Sequence, residues 1–291
     1  MIDTMNDTTI HDLGYRRYEG ERDGVRGAWR ALFSQGFRAM FGLGRPLKSK
    51  AVPAFVLAAT LLPCLATLAA SSATKGQLPI LYGNLLESQL ILFVLFAAAQ
   101  APEVMSHDQQ HRVLPLILTR DVTRDVYASA RIAAVLCALL VVCGAPMSLL
   151  YVGEIGIAVD PATAFRTMGT KAGPVLLQAT LTAWVIGSIG AAMASMTARR
   201  AYATASVIGV FLVAAAVSIG LDDLAGVSAN VSGFIDPLRS LHKMALLLFG
   251  ERTREMELTA PPPVWVFAAL ALALGTAGVL ATVWRLRRVR V

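Results

Sequence analysis

Long apolar runs, separated by short polar segments, occupy most of the chain after its first fifty residues. Each run has about 20 residues, the length that an α-helix needs to cross the hydrocarbon core of a bilayer. The pattern therefore predicts an all-α polytopic membrane protein with six transmembrane helices. These spans are expected at residues 52–73, 79–101, 128–152, 172–196, 201–221 and 264–284.

A helical period also appears in residues 24–43, just before the first span. Apolar residues, among them Trp29, cluster on one side of the helical wheel, while Arg26, Arg30 and Arg38 repeat on another. A basic amphipathic helix at this place is expected to lie in the headgroup plane of the bilayer, with its arginines toward anionic phosphates. The alternative is a soluble helix that packs on a partner protein.

The segment of residues 222–263, between spans five and six, is predicted to be more than a loop. Asp236 followed by Pro237 is a favourable helix start, an N-cap acid with proline in the first turn. Apolar residues then follow at three- and four-residue spacing, namely Leu238, Leu241, Ala245 and Leu248. We therefore expect a short amphipathic helix that dips back toward the outer membrane face, as in a re-entrant segment.

Composition supports the membrane assignment, because 56% of the residues are hydrophobic and only 15% are charged. Soluble domains carry about a quarter charged residues. The net charge of +7 does not indicate nucleic-acid binding, since the basic residues lie between and outside the apolar runs. Three cysteines lie inside apolar runs without a CxxC pair and are interpreted as small buried hydrophobic residues: Cys64, Cys137 and Cys143.

The distribution of basic residues predicts the orientation. If the N-terminus lies inside, 19 of the 26 Lys and Arg residues fall on the inner side, as the positive-inside rule requires. Both termini are then cytoplasmic. Residues 1–50 form a cytoplasmic N-terminal region with the interfacial helix, and residues 51–291 form the six-span domain.

Sequence motifs for chemistry are few. The chain contains neither a G-x-x-x-x-G-K-[ST] phosphate loop nor a GxSxG nucleophile motif. Glu103, His107, Asp108 and His111 could approach a metal, because the two histidines are four residues apart and HDQQH resembles HExxH. Asp is one methylene shorter than the usual general base, and the other histidines are distant, so a solvated cytoplasmic helix face is favoured.

Ionisable and amide side chains inside spans are costly and are therefore candidate functional groups. Asn84 and Glu87 in the second span, with Gln178 in the fourth, are candidate pathway residues. The alternatives are an interfacial position for Glu87 and helix–helix packing for Gln178. Arg131, at the inner end of the third span, is expected to extend to the interface and needs no special role.

Two stretches resemble one protein family. The start YRRYEGER places Tyr15, Tyr18, Gly20 and Arg22 in a Y-x-x-Y-x-G-x-R pattern ahead of the amphipathic helix. This start resembles that of bacterial type-2 ATP-binding-cassette (ABC) transporter permeases, where it leads through a membrane-surface helix into span one.

The segment of residues 101–131 is similar to the inner loop of the same family. That loop has an acid at the end of span two, a short helix, an Arg-Pro-hydrophobic-x-Arg turn, and then a Tyr and a basic residue opening span three. These places are occupied here by Glu103, Arg120, Arg124, Tyr127 and Arg131. Asp121 stands where proline is usual, which implies a less rigid turn.

The resemblance implies the permease subunit of an exporter in the bacterial inner membrane, without catalysis or a cofactor of its own. It implies a second permease as partner and a separate ATP-binding subunit that carries ATP and Mg²⁺. The helix near residues 107–119, ended or kinked by Pro115, would be the coupling helix. Residues expected to contribute to coupling are Glu103, His107, His111, Arg112, Arg120 and Arg124. Two other hypotheses stay open: a membrane enzyme with a metal at Glu103, His107 and His111, and a non-transporting membrane anchor for an ATPase.

Overall fold

The structure is a computed structural model that describes residues 24–74, 78–111, 114–118, 122–158, 160–223, 232–251 and 262–288. Within these ranges the regular structure is α-helical and no strand occurs. The helices are α1 (Gly24–Met40), α2 (Leu47–Ala73), α3 (Tyr82–Met105), α4 (His107–Gln110), α5 (Leu114–Leu118), α6 (Arg124–Ile157), α7 (Pro161–Ser195), α8 (Arg200–Asp223), α9 (Pro237–Phe249) and α10 (Val264–Arg288).

Six of these helices are long and apolar enough to cross a membrane: α2, α3, α6, the Met168–Ser195 part of α7, α8 and α10. The prediction of six helices of spanning length is confirmed. Each predicted apolar range falls on one of them, but α6 and α7 extend well beyond the apolar residues at one or both ends. Backbone hydrogen bonding does not stop at the last apolar side chain, so the apolar run underestimates the helix.

Local capping residues explain where two of the helices begin. At α6, the side chain of Thr123 accepts a hydrogen bond from the N–H of Val126 at 3.4 Å. At α9, the carboxylate of Asp236 accepts one from the N–H of Leu238 at 2.9 Å, with Pro237 in the first turn, as the sequence predicts. Gly250, with φ 71°, then ends α9 in the left-handed region that glycine adopts without strain.

Replacing Asp236 with alanine is expected to destabilise the protein by about 1 kcal/mol, because an N-terminal N–H of α9 loses its acceptor. Asp236→Asn retains an acceptor oxygen and should lower the stability by only about a few tenths of a kcal/mol. The free energy of unfolding, measured by denaturing-detergent titration in mixed micelles, tests the difference. Equal losses for the two variants would contradict the capping role.

The helices α3 and α7 form the centre of the bundle. α7 contacts α3, α6, α8, α9 and α10, whereas α2, α8 and α10 have the smallest share of buried residues in their apolar stretches. At one end of the bundle, a small hydrophobic cluster joins α1, α5, the start of α6 and the end of α10. It consists of Leu114, Val122, Tyr127, Ala128 and Leu286, with Ala28 and Leu32 packed against them. We call this end of the bundle, where Arg45, Arg124, Arg131, Arg200 and Arg287 lie, the basic end. The end that carries α9 is called the α9 end.

Helix α1 packs along the start of α6 rather than standing apart from the bundle. Gly36 and Met40 are buried, and the indole N–H of Trp29 donates to the hydroxyl of Ser129 on α6 at 3.1 Å. The rings of Trp29, Phe33, Phe37 and Phe41 form a continuous half-buried column with centroid separations of 5.3, 6.1 and 5.2 Å. The three predicted basic residues are exposed beside it: Arg26, Arg30 and Arg38.

Gly36 is a position of close approach between α1 and α6. A Cβ atom there would lie 2.9 Å from the Cβ of Ala134 and 3.3 Å from Nη1 of Arg131. Gly36→Leu is therefore expected to push α1 away and to cost about 1–3 kcal/mol of stability. Ala31→Leu, on the exposed side of the same helix, is the matched control and should change stability by less than about 0.5 kcal/mol. Equal thermal midpoints for the two variants would contradict this packing.

Candidate functional site

The polar connection between spans two and three begins with contacts to the end of α7. The hydroxyl of Ser106, directly after α3, donates to the carbonyl oxygen of Ala194 at 2.6 Å. The side-chain amide of Gln109 donates to the carbonyl oxygens of Met105 at 3.1 Å and Ser195 at 3.4 Å. The start of the connection is therefore held against α7, a central helix.

A buried ion pair joins the connection to α6. Nη2 of Arg131 donates to Oδ2 of Asp108 at 2.6 Å, and the side chains are only 3% and 9% exposed. The hydroxyl of Tyr127 donates to the same oxygen at 2.8 Å. Nη2 of Arg131 also lies 3.3 Å from the amide oxygen of Gln35, so the ion pair links α1, α4 and α6.

This arrangement corrects the expectation that Arg131 extends to the interface. The guanidinium is enclosed because α1 covers it, and Asp108 supplies the charge partner that makes burial tolerable. The guanidinium carbon also lies 5.4 Å from the ring centroid of Tyr127, within the range of a cation–π contact. Arg131 and Tyr127 thus share a role in positioning the connection.

Glu103 forms a second link at the basic end. Its nearly buried carboxylate binds the guanidinium groups of Arg45, in the segment between α1 and α2, and Arg200, at the start of α8. Nη2 of Arg200 also lies 3.4 Å from the carbonyl oxygen of Ala99 in α3. One carboxylate therefore holds together the ends of three chain segments.

The histidines lie beside this site without completing a metal centre. The imidazole rings of His107 and His111 are 4.2 Å apart, and Nδ1 of His107 is 3.7 Å from Asp108. Glu103 is bound by two guanidinium groups, which reduces its ability to bind a cation. In the described parts of the chain, no group of three His, Cys, Asp or Glu side chains is placed to hold a metal ion.

The predicted coupling helix differs from the observed backbone. In place of one helix near residues 107–119, the structure has α4 and α5, with residues 112–113 outside the described ranges. Pro115 is the second residue of α5, and the expectation that it ends or kinks the predicted helix depends on residues 112–113, which lie outside the described ranges. Arg112, Arg120 and Asp121 lie outside the described residues.

Arg124, another predicted coupling residue, is exposed at the start of α6. Its Nη1 donates to the carbonyl oxygen of Arg287, at the end of α10, at 2.5 Å. Nε of Arg287 in turn pairs with Asp125 at 2.7 Å, and both of these side chains are more than half exposed. These surface contacts connect α10 with α6 but are screened by water and salt.

The three candidate pathway residues lie in different surroundings. Asn84 is exposed in the first turn of α3. Glu87 is also largely exposed and lies 3.6 Å from Nε2 of His242 in α9. Gln178 is fully buried in α7, and its amide donates to the carbonyl oxygen of Leu241 at 3.0 Å, which fastens α9 to the bundle.

A polar cluster at the α9 end fastens the start of α3. The hydroxyl of Tyr82 donates to Glu154 at 2.6 Å, and Nζ of Lys171 donates to the same carboxylate at 2.7 Å. The carboxylate of Glu251 accepts a hydrogen bond from the N–H of Gly83 at 2.9 Å. Burial raises the pKa of the Glu251 carboxyl above its ordinary value, although the backbone N–H groups at the start of α3 act in the opposite direction.

Sequence reasoning missed several residues of the basic end as site residues, above all Arg45, Arg131 and Arg200. The signal of Arg45 and Arg200 was a charged residue close to the end of an apolar run, which many membrane proteins share, and Arg131 had in addition only its place in the inner-loop resemblance. Asp108 was noticed only as part of a metal-binding pattern. In comparison with known proteins, the chain matches no protein-family model and no curated protein.

Proposed function

We propose that the chain is the membrane-spanning permease subunit of an ABC exporter, coupled to a separate ATP-binding subunit through the connection that contains α4 and α5. The two motif resemblances at residues 15–22 and 101–131 suggest this family. The ATP-binding partner supplies the nucleotide chemistry, with ATP and Mg²⁺, and the chain itself transports without catalysing a reaction. We place it in the bacterial inner membrane with both termini in the cytoplasm.

The observation that carries the proposal is the way the polar connection is fastened to the bundle. Asp108 pairs with the buried Arg131 and Ser106 binds the end of α7, while Glu103, in the last turn of α3 just before the connection, pairs with Arg45 and Arg200. A segment held in this way transmits a displacement to α1, α6, α7 and α8 together. An ordinary solvated loop needs none of these contacts.

The same contacts suggest a mechanism of coupling. When the ATP-binding subunit closes on ATP, it would press on α4 and α5, which move as one body with the start of α6. Because packed helices switch between discrete arrangements rather than deform continuously, this push favours one of two arrangements of the spans. Transport follows from repeated exchange between the two.

Other helices of the fold are also consistent with a permease subunit. The arginine side of α1 is exposed, with its aromatic column half-buried alongside, which suits a helix lying in the headgroup plane of the inner leaflet. In the same orientation α9 is the re-entrant helix of the outer side. The apolar faces of α2 and α8 are largely uncovered within one chain, which leaves room for a second permease beside them as well as for lipid.

Isolation of the tagged chain from its native membrane tests the proposal. We expect an ATPase to co-purify in a stoichiometric amount, to be lost on deletion of residues 107–119, and to stay bound in the His107→Ala/His111→Ala variant. Bound zinc or iron that disappears with the two histidines would instead support the enzyme hypothesis. An ATPase that binds without any stimulation by transported compounds would support the anchor hypothesis.

Labelling of a single cysteine tests the orientation. The three native cysteines are replaced by alanine and His107→Cys is introduced, since this side chain is partly exposed. We expect a membrane-impermeant maleimide to label the residue only after the cells are permeabilised. Labelling in intact cells would place the connection outside, where no ATPase could reach it.

A further inference from the structure

A cavity at the α9 end is not explained by the contacts that connect the helices. It has a volume of about 300 Å³ and lies between α3, α8 and α9. Its polar lining includes Glu87, Arg239 and His242, and its apolar lining includes Ile91, Ile219 and Leu238. This volume is at the lower limit of small-molecule sites, which combine apolar walls with a few charged groups.

Among the described residues that line the cavity, Glu87 is the carboxylate that is engaged neither by an arginine nor by a helix cap. Arg239 is bound to Asp222, and Lys243, buried on the same helix, adds positive charge near that pair. Asp236 is occupied by the cap of α9. Glu87 has the imidazole of His242 at 3.6 Å, and an imidazole offsets a negative charge only when it is protonated.

Glu87 is also placed where a ligand can reach it. Its side chain is 63% exposed at the mouth of the cavity, whereas His242 is 14% exposed. Ile91 and Ile219, on either side, are both more than half exposed and present apolar surface around the charge. A carboxylate surrounded by apolar side chains attracts a molecule that carries a positive charge on an apolar body.

We propose that this cavity binds an amphipathic organic monocation, with its charged group against Glu87 and its apolar body between α3 and α8. The inference deepens the proposed function and rests on it for one point only, namely that the bound cation is the cargo of the permease. The binding site itself needs neither the ATP-binding subunit nor a transport cycle.

Equilibrium dialysis with tritiated benzyltrimethylammonium tests the site. The full chain is used in phosphatidylcholine nanodiscs at neutral pH, with empty nanodiscs subtracted. We expect saturable binding of about one probe per chain, not displaced by the anion benzenesulfonate. Glu87→Gln should weaken binding about tenfold, which corresponds to roughly 1.4 kcal/mol. Ile219→Trp should abolish binding by filling the cavity without any change of charge.

Asp223→Asn is the matched control, since it removes an exposed carboxylate from the same end of α8 outside the cavity lining, and it should leave the affinity within about twofold. The inference would be overturned by the absence of saturable binding, or by equal binding to wild type, Glu87→Gln and Ile219→Trp. A co-purifying ATPase would then still support the permease proposal. Glu87-dependent binding without any associated ATPase would support the site and refute its role in export. If Glu87→Gln does not fold, Ile219→Trp decides.

Discussion

Arg131→Leu is expected to lower the free energy of unfolding by about 3–5 kcal/mol, the usual cost of removing one member of a buried ion pair. The loss arises because Asp108, only 9% exposed, would lie buried without the guanidinium that offsets its charge. Tyr127 can still donate one hydrogen bond to this carboxylate, which is too little to compensate for a buried charge. Titration with a denaturing detergent in mixed micelles measures the change.

A double-mutant cycle separates the ion pair from simple packing loss. Asp108→Asn keeps an acceptor for Tyr127 but removes the charge, so the double variant Asp108→Asn/Arg131→Leu should recover a large part of the stability lost in Arg131→Leu. The exposed pair of Asp125 and Arg287 provides the control, and Asp125→Asn should cost less than about 1 kcal/mol. An additive cycle would mean that the two groups do not interact.

Glu103→Gln is expected to cost on the order of 2 kcal/mol, because one nearly buried carboxylate holds two guanidinium groups. Its loss leaves like charges on Arg45 and Arg200 close together and weakens the link between the end of α3 and the start of α8, where Arg200 keeps only its contact with the carbonyl oxygen of Ala99. The effect should shrink at high salt, since Arg200 is more than half exposed and its pairing is screened.

The coupling energies from double-mutant cycles show which of the two arginines interacts more strongly with Glu103. Cycles that combine Glu103→Gln with Arg45→Met or Arg200→Met should give the larger coupling energy for Arg45, which is the less exposed arginine. Arg199→Met is the control, since Arg199 neighbours Arg200 and lies over the ring of Tyr202 instead. Equal stability of Glu103→Gln and wild type at low salt would show that the link contributes nothing.

Within the described residues, the six long helices could be predicted from the sequence because the signal is local. A run of about 20 apolar residues identifies a spanning helix wherever it lies in the chain. The start of α9 could also be predicted from the sequence, since the Asp236–Pro237 pair determines its cap within one turn. The roles of the coupling and pathway residues stay predictions, because they concern partners and cargo outside the chain.

The predictions were wrong where a local sequence pattern was used to infer which side chains other helices would bury. The helical period is predicted over residues 24–43, yet α1 ends at Met40, and Val25 and Leu43, near the two ends of that range, are each 51% exposed. The column from Trp29 to Phe41 could not be anticipated in this form, because α6 and α3 decide which flank of α1 is covered. Arg131 was expected to reach the interface because the sequence does not show that α1 covers it and that Asp108 pairs with it.

The sequence alone determined the class of the molecule, its six spanning-length helices and the cap that begins α9, since each depends on residues within a few helical turns. The tertiary structure alone decided that Asp108 meets Arg131, that Glu103 meets Arg45 and Arg200, and that a cavity opens beside Glu87. Most of these groups are far apart along the chain. Their proximity depends on how whole helices pack, and no periodicity within a single helix encodes it.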